Sequence, residues 1–224
     1  MSTARAAGII LAKELRAELR TRELLNTTVV FALLVVFLFS YAFEPTAAES
    51  RRIGPGLLWI AFLFAGALML NPSFARELTN DTLSALRMAP ISPFAILLGK
   101  TLSNLVFLLV AELLILPVFS VFYNVPLLPV LGWLLLILFL GTFGLVITGT
   151  VFSAVAAQAR MHELLLPLLL FPVLTPVLLA STEATMKLLG DPPELSSNGL
   201  AFLAGFDIIF LTASWLLCEH LLEE

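Results

Sequence analysis

Residues 72–100 read PSFARELTNDTLSALRMAPISPFAILLGK, a polar stretch held between two long apolar runs. A plain connection between membrane helices needs only a few residues. This stretch carries signals for a helix of its own, because Asp81 can accept hydrogen bonds from the free N–H groups of a first turn and Pro90 prevents continuation. We therefore predict a capped helix, Thr82–Ala89, on one membrane face. Such a helix is typical of a segment that docks a soluble partner.

The apolar runs around this segment indicate a membrane protein. Of 224 residues, 60% are hydrophobic and 12% are charged, whereas a soluble domain carries about 25% charged residues. Six runs are long enough to span about 30 Å of hydrocarbon, and none alternates as barrel strands do. We predict an all-α polytopic protein, with residues 1–224 forming a single transmembrane domain. The predicted spans are Asn26–Phe43, Ile53–Leu70, Ile96–Pro117, Leu127–Val155, Leu164–Ala180 and Leu200–Cys218.

Lysine and arginine are divided unequally between the two faces of this bundle. With six spans both termini share one face, which holds nine cations: Arg5, Lys13, Arg16, Arg20, Arg22, Arg76, Arg87, Lys100 and Arg160. The other face holds three: Arg51, Arg52 and Lys187. Because cytoplasmic loops carry the excess of Lys and Arg, we predict that both termini and the helix Thr82–Ala89 are cytoplasmic.

Two segments outside the spans have patterns of their own. Gly8–Leu25 reads as an amphipathic helix in the headgroup plane, with a leucine stripe and cations away from it: Leu11, Leu15, Leu19, then Lys13, Arg16, Arg20. The predicted external connection is Ser181–Gly199. Within it, Ser181–Leu189 is compatible with a short helix that ends at Gly190.

Most polar motifs in the spans have an ordinary structural explanation. Gly99-Lys100-Thr101 resembles the end of a phosphate-binding loop, but that pattern requires a glycine where Phe94 stands. We interpret Lys100 as an anchor that snorkels to the headgroups. The conceivable metal or haem ligands are interpreted as interfacial polar residues, and no metal site is predicted: His162, Cys218 and His220. The net charge of −4 gives no nucleic-acid footprint.

Glu112 and Asp207 are stronger candidates for a functional role. Both fall inside predicted spans, where ionisable groups are costly and usually functional. Counting along each helix at about 1.5 Å per residue places them at similar depth in the outer half of the membrane. Small residues recur every fourth position in the fourth span, at Gly149, Ser153 and Ala157. They favour close helix packing, within one chain or across a dimer.

The segment Phe74–Pro90, followed by Gly99-Lys100, resembles the cytoplasmic segment of the haem exporter protein B (CcmB) family. The fifth span, LLLPLLLFPVLTPVL at 164–178, is similar to that family's proline-rich span. Its prolines are Pro167, Pro172 and Pro176. Each removes a backbone donor, so we predict a hinge here. The resemblance covers essentially the whole chain. Asp81, Ser84 and Thr175 depart from the residues usual in the family.

The resemblance implies the membrane component of an ABC transporter for cytochrome c maturation, in the bacterial inner membrane. It implies a homodimer joined to CcmA-like ATP-binding chains, a haem-handling CcmC-like protein, a small CcmD-like protein and a periplasmic CcmE-like haem chaperone. ATP hydrolysis would lie in the partner chain, so this chain is expected to be no enzyme. It is expected to hold no cofactor of its own, with haem as a possible substrate. The expected coupling residues are Asp81, Thr82, Leu83, Leu86, Arg87 and Met88.

Two alternatives stay open from the residues alone. The first is a permease of the same ABC-2 type for another substrate, such as a lipid, a glycan or a drug. The second belongs to another class, an ion-coupled carrier or intramembrane enzyme that uses Glu112 and Asp207. Co-purification with an ATPase separates this second alternative from the transporter component.

Overall fold

The structure is a computed structural model that describes residues 2–43, 46–74, 91–157 and 162–223. Side chains are described in these ranges except at 47–48, 157, 162–166 and 219–223. The described chain forms seven α-helices and one 3₁₀ turn. They are α1 Thr3–Thr21, α2 Glu23–Phe43, α3 Ala47–Leu70, α4 Pro93–Phe122, the 3₁₀ turn Leu128–Val130, α5 Leu131–Ala157, α6 His162–Leu188 and α7 Ser197–Glu223.

Six of the described helices are long and apolar enough to cross a membrane, which confirms the predicted number of spans. The candidate spans are Glu23–Phe43, Glu49–Phe74, Pro93–Phe122, Leu128–Ala156, Pro167–Leu188 and Ser197–Cys218. Two of the helices begin before the predicted spans, because polar residues cap their first turns. Thr46 and Glu49 form a capping box at the start of α3, and the Ser92 hydroxyl accepts the Ala95 N–H at 3.3 Å at the start of α4.

The amphipathic segment ends earlier than predicted. Arg22 adopts a left-handed conformation with φ 54° and closes α1 at Thr21, so the chain turns before α2 begins at Glu23. The buried Glu18 carboxylate accepts the N–H of Leu25 at 2.8 Å. That bond satisfies one of the free donors in the first turn of α2. The helix predicted over Gly8–Leu25 is therefore two helices.

The connection predicted over Ser181–Gly199 is shorter than expected. Residues 181–188 continue α6 without interruption, because no helix-stopping residue occurs before Gly190 and Glu183 pairs with Lys187 at 2.7 Å, one turn apart. After this helix, Asp191 binds Arg51 of α3 at 2.9 Å. This ion pair gives one of the three cations on that face a local partner.

Helix α5 forms the centre of the bundle and packs against α3, α4, α6 and α7. Its small residues allow the close approach. A Cβ added to Gly149 would overlap Leu70, and the Ser153 hydroxyl donates to the Leu70 carbonyl at 2.8 Å. Small residues and interhelical hydrogen bonds are what hold helices together in lipid. The small-residue stripe thus packs within the chain, against α3, at Gly149 and Ser153.

The outer helices are α2 and α7. In the most apolar part of each of these two helices only 17% of the residues are buried, whereas 67% are buried in the span Glu49–Phe74. Their exposed side chains are large and apolar, as in Leu34 and Leu38 of α2 and Ile208 and Ile209 of α7. Such faces suit lipid or another membrane chain.

Candidate functional site

The predicted coupling helix lies outside the described residues. Asp81, Thr82, Leu83, Leu86, Arg87 and Met88 all belong to the undescribed range 75–90. What the structure describes is the frame that holds this range, namely the end of the second span at Ser73 and Phe74 and the start of α4 at Ser92.

Lys100 lies at the centre of this frame. Its side chain is only 3% exposed, and its Nζ lies 2.9 Å from the Glu14 carboxylate of α1. The same Nζ donates to the Ser73 carbonyl at 2.9 Å and lies 5.7 Å from the centre of the Phe74 ring. The snorkelling interpretation of Lys100 is therefore wrong. The ammonium is buried because a carboxylate and a carbonyl from two other segments meet it inside the protein.

Asn104 extends this frame one turn along α4. Its amide donates to the Ser73 hydroxyl at 3.1 Å and to the Thr150 hydroxyl of α5 at 3.2 Å. Together with Lys100, it links α1, α4, α5 and the end of the second span through polar contacts. We call Glu14, Ser73, Lys100, Asn104 and Thr150 the anchor cluster. It fixes Ser73, at the end of the second span, against α4.

Helix α1, predicted to lie in the headgroup plane, packs on α4, and Leu15 of the predicted leucine stripe is partly buried against the core. Ala7 and Ile10 are buried against Gly99, where an added Cβ would lie 2.7 Å from the Ile10 Cβ. Leu19 of the predicted stripe is 69% exposed. The helix is docked by small residues and by the Glu14–Lys100 pair, because a glycine in α4 allows close approach there.

Glu112 is buried between α4 and α5. It is 1% exposed, and its Oε1 accepts the Thr142 hydroxyl at 2.7 Å. Its second oxygen, Oε2, accepts no hydrogen bond from the described residues. Burying a carboxyl with only one hydrogen-bond partner costs free energy, so the position of Glu112 lowers the stability of the bundle.

Asp207 of α7 faces α5 at nearly the same level. It is 6% exposed, and neither carboxyl oxygen accepts a hydrogen bond from the described residues. An added Cβ on Gly144 would lie 2.8 Å from Oδ1. Thr142 and Gly144 are two positions apart, so they point about 200° apart around α5. Glu112 and Asp207 therefore approach α5 from different faces and do not form one carboxyl pair.

The three predicted hinge prolines lie in one continuous helix, α6. Pro172 and Pro176 are on its exposed face, together with Thr175. A proline donates no backbone hydrogen bond, so the carbonyls of Leu168 and Pro172 lose their usual partners. The Thr175 hydroxyl donates back to the Phe171 carbonyl at 2.9 Å, a bond that often bends helices. This stretch of α6 thus has fewer backbone bonds than its neighbours.

The described residues hold no group of three or more His, Cys, Asp and Glu side chains suited to a metal. Cys218 is buried, and its Sγ donates to the Trp215 carbonyl at 3.0 Å. The side chains of His162 and His220 lie outside the described atoms.

A comparison with known families decides what this bundle is. The family model described as CcmB protein matches residues 5–221, nearly the full length of the chain. The chain belongs to the CcmB family. That membership confirms the resemblance found in residues 74–90 and in the proline-rich span.

Three similar curated proteins are each named "Heme exporter protein B". The protein of Pseudomonas aeruginosa is 32% identical over 207 residues, which covers 92% of this chain and 91% of that protein. The protein of Rhodobacter capsulatus is 32% identical over 196 residues, with 88% of each chain covered. The protein of Paracoccus denitrificans is 29% identical over 202 residues, with 90% and 91% covered.

Sequence reasoning missed most of the anchor cluster of this CcmB-family chain. Lys100 stands out in the sequence only as a membrane flank, while Glu14, Ser73, Asn104 and Thr150 do not stand out at all. One signal was present, since four polar residues, Lys100, Thr101, Ser103 and Asn104, lie close together at the start of a long apolar run. Polar residues inside an apolar span point to interhelical contacts. The sequence did not show which helix supplies their partners.

Proposed function

We propose that this chain is the membrane component of an ABC transporter that drives haem export or delivery during cytochrome c maturation. The observation that carries the proposal is the match over residues 5–221 to a family whose curated members are named for heme export. The chain would act as one permease domain in the bacterial inner membrane, with both termini in the cytoplasm.

The proposed partners follow the same reasoning. A separate ATP-binding chain hydrolyses ATP, and a haem-handling membrane protein, a small membrane protein and a periplasmic haem chaperone complete the pathway. The CcmB chain acts as a homodimer, with haem as substrate. The exposed apolar faces of α2 and α7 leave room for such contacts within the membrane.

The proposed coupling runs through Thr82–Ala89, with Leu83 and Leu86 as one apolar contact edge. The anchor cluster supports this proposal, because Lys100 and Asn104 of α4 hold Ser73, at the end that precedes the segment, and also contact α1 and α5. A rigid frame transmits a push on the segment to α3 and α4 instead of absorbing it locally. This is a structural reason to expect force transmission there.

One alternative loses support from the geometry. An intramembrane enzyme that works with paired carboxylates needs both groups at one substrate. Glu112 and Asp207 instead approach α5 from different faces, beside Thr142 and Gly144. A permease for a lipid, glycan or drug would have the same fold. It is distinguished by whether deletion of the gene stops haem attachment to the periplasmic chaperone.

The docking test compares two variants of the coupling segment. Leu86→Asp should release the ATP-binding chain, because a central apolar anchor contributes more than a rim charge. Arg87→Ala should weaken the complex without dissolving it. Co-purification of the two chains in detergent measures both effects. If Leu86→Asp retains a full complement of the ATP-binding chain, this segment is not the docking site.

The proposed orientation is tested by thiol labelling. Asn198 is exposed at the start of α7, whereas the neighbouring Ser196 is buried, so Asn198→Cys is the better reporter of the outer face. In a Cys218→Ser background, a membrane-impermeant maleimide should label Asn198→Cys from the periplasm and leave Ser84→Cys unlabelled. The opposite pattern contradicts cytoplasmic termini.

The hinge proposal concerns Pro172 and Pro176 of α6. Replacing both by alanine restores two backbone donors and stiffens the helix. The double variant should assemble normally yet deliver less haem to the chaperone, measured by haem staining of the chaperone band. Normal delivery by the double variant would reduce the prolines to packing residues.

A further inference from the structure

The Glu14–Lys100 pair joins a helix outside the spans to the inside of the bundle. Lys100 belongs to α4 and Glu14 to α1, and their charged atoms are 2.9 Å apart. The lysine side chain is 3% exposed, while the glutamate side chain is 21% exposed. The contact is therefore made where α1 covers α4, with the ammonium on the inner side.

The surroundings of the pair make the loss of either partner costly. Most surface ion pairs contribute little, because water and salt screen them. Here the ammonium is removed from water and also donates to the Ser73 carbonyl. A buried charge that loses its partner is strongly destabilising. When α1 undocks, the Glu14 carboxylate moves away from the buried Lys100 ammonium. The positive charge of Lys100 therefore favours the docked position of α1.

The same ammonium touches the residue after which the second span ends. Ser73 supplies the carbonyl and Phe74 the ring beneath Lys100. One atom, Lys100 Nζ, thus contacts both α1 and the end of the second span. A displacement of Ser73 moves a ligand of Lys100, and Lys100 in turn holds Glu14.

We propose that Glu14 and Lys100 are positioning residues that make α1 a moving part of the coupling frame. This inference rests on the proposed function, in which an ATP-binding chain pushes on residues 75–90. The push reaches α1 through Ser73, Lys100 and Glu14, in that order. Helix α1 is then part of the transmission and not a passive membrane anchor.

The position of α1 can be read from buried residues on its docked face. Ile10 is 4% exposed and Ile9 is 55% exposed. In a Cys218→Ser background, Ile10→Cys reports undocking through its reaction with a water-soluble maleimide in the purified complex. Ile9→Cys is the matched control, because it should react at the same rate whether or not α1 is docked. Ala7, 1% exposed, is a second reporter position.

Lys100→Met should raise the labelling rate of Ile10→Cys at least about tenfold, because local opening no longer breaks an ion pair. Haem delivery to the chaperone should fall while the ATP-binding chain stays bound. Glu14→Gln removes the carboxylate but keeps Lys100 and its bond to Ser73, so it tests the ion pair separately from the Ser73 contact. Lys13→Met is the control, because Lys13 also contacts Glu14, at 3.4 Å, but is 48% exposed. It should change neither readout.

The outcomes separate this inference from the proposed function. Unchanged labelling and full delivery in both Lys100→Met and Glu14→Gln overturn the positioning role. Labelling that rises while delivery stays normal also overturns it, since α1 would then be docked without taking part in transmission. The docking of the ATP-binding chain is judged independently by Leu86→Asp. If Leu86→Asp keeps the ATP-binding chain bound, the proposed docking at residues 82–89 is wrong, and the labelling result still stands on its own.

Discussion

The anchor cluster is one polar region of this apolar bundle, and the carboxyls of Glu112 and Asp207, which face the middle of α5, form another. The two regions differ in how well their polar groups are hydrogen-bonded. Lys100 has a carboxylate and a carbonyl within 2.9 Å, and Asn104 donates to two hydroxyls. Glu112 has one partner, and Asp207 accepts no hydrogen bond from the described residues. In the first region polar groups fix helix positions. In the second they remain available for another role, as ionisable groups in membranes usually are.

The largest expected effect on stability comes from breaking the anchor cluster. Asn104→Leu removes the donor to the Ser73 and Thr150 hydroxyls, and should lower the free energy of unfolding by about 2 kcal/mol. Ser103→Ala is the control, because among the described residues the buried Ser103 hydroxyl bonds within its own helix, to the Lys100 carbonyl at 2.9 Å. Unfolding in mixed micelles, followed by fluorescence, measures both. If the two variants lose equal amounts of unfolding free energy, the anchor cluster does not stabilise the contacts between helices.

A smaller effect is expected from crowding Asp207. Gly144→Ala places a methyl group 2.8 Å from the Asp207 carboxyl and 3.3 Å from Phe206, so the side chains must shift at a cost of about 1–2 kcal/mol. Gly205→Ala, with nothing within 4 Å of its added Cβ, should be neutral or slightly stabilising. If the Asp207 carboxyl is functional, Gly144→Ala should also reduce haem delivery, although it leaves every ionisable group in place.

The smallest effect on stability is expected from replacing the two buried carboxyls, Glu112 and Asp207, by amides; we call these two the central carboxyls. Glu112→Gln keeps an oxygen for the Thr142 hydroxyl, and Asp207→Asn keeps the side-chain shape, so each should change stability by less than about 1 kcal/mol. Haem delivery should nevertheless be lost if the carboxyls act in ionised form. Glu183→Gln, an exposed acid that pairs with Lys187, is the control. Full delivery by both central variants would return the carboxyls to a structural role.

The two regions were not equally readable from the sequence. Glu112 and Asp207 were found because a single ionisable residue in a long apolar run is conspicuous. The anchor cluster was not found, because its members look ordinary one at a time. Glu14 is one acid among many in a polar segment, and Thr150 is one hydroxyl in a span. Their importance lies in which atoms they meet, across 46 residues in the case of Asn104 and Thr150.

The all-helical class, the six spans and the family could be read from the sequence, because hydropathy, span length and motifs are properties of contiguous residues. Three further features depend on how the helices pack. They are which face of α1 packs on α4, that Lys100 is buried against Glu14, and that Glu112 and Asp207 lie on different faces of α5. Each depends on how helices rotate and cross. In lipid those angles are set by small residues and interhelical polar contacts, which a one-dimensional pattern does not pair.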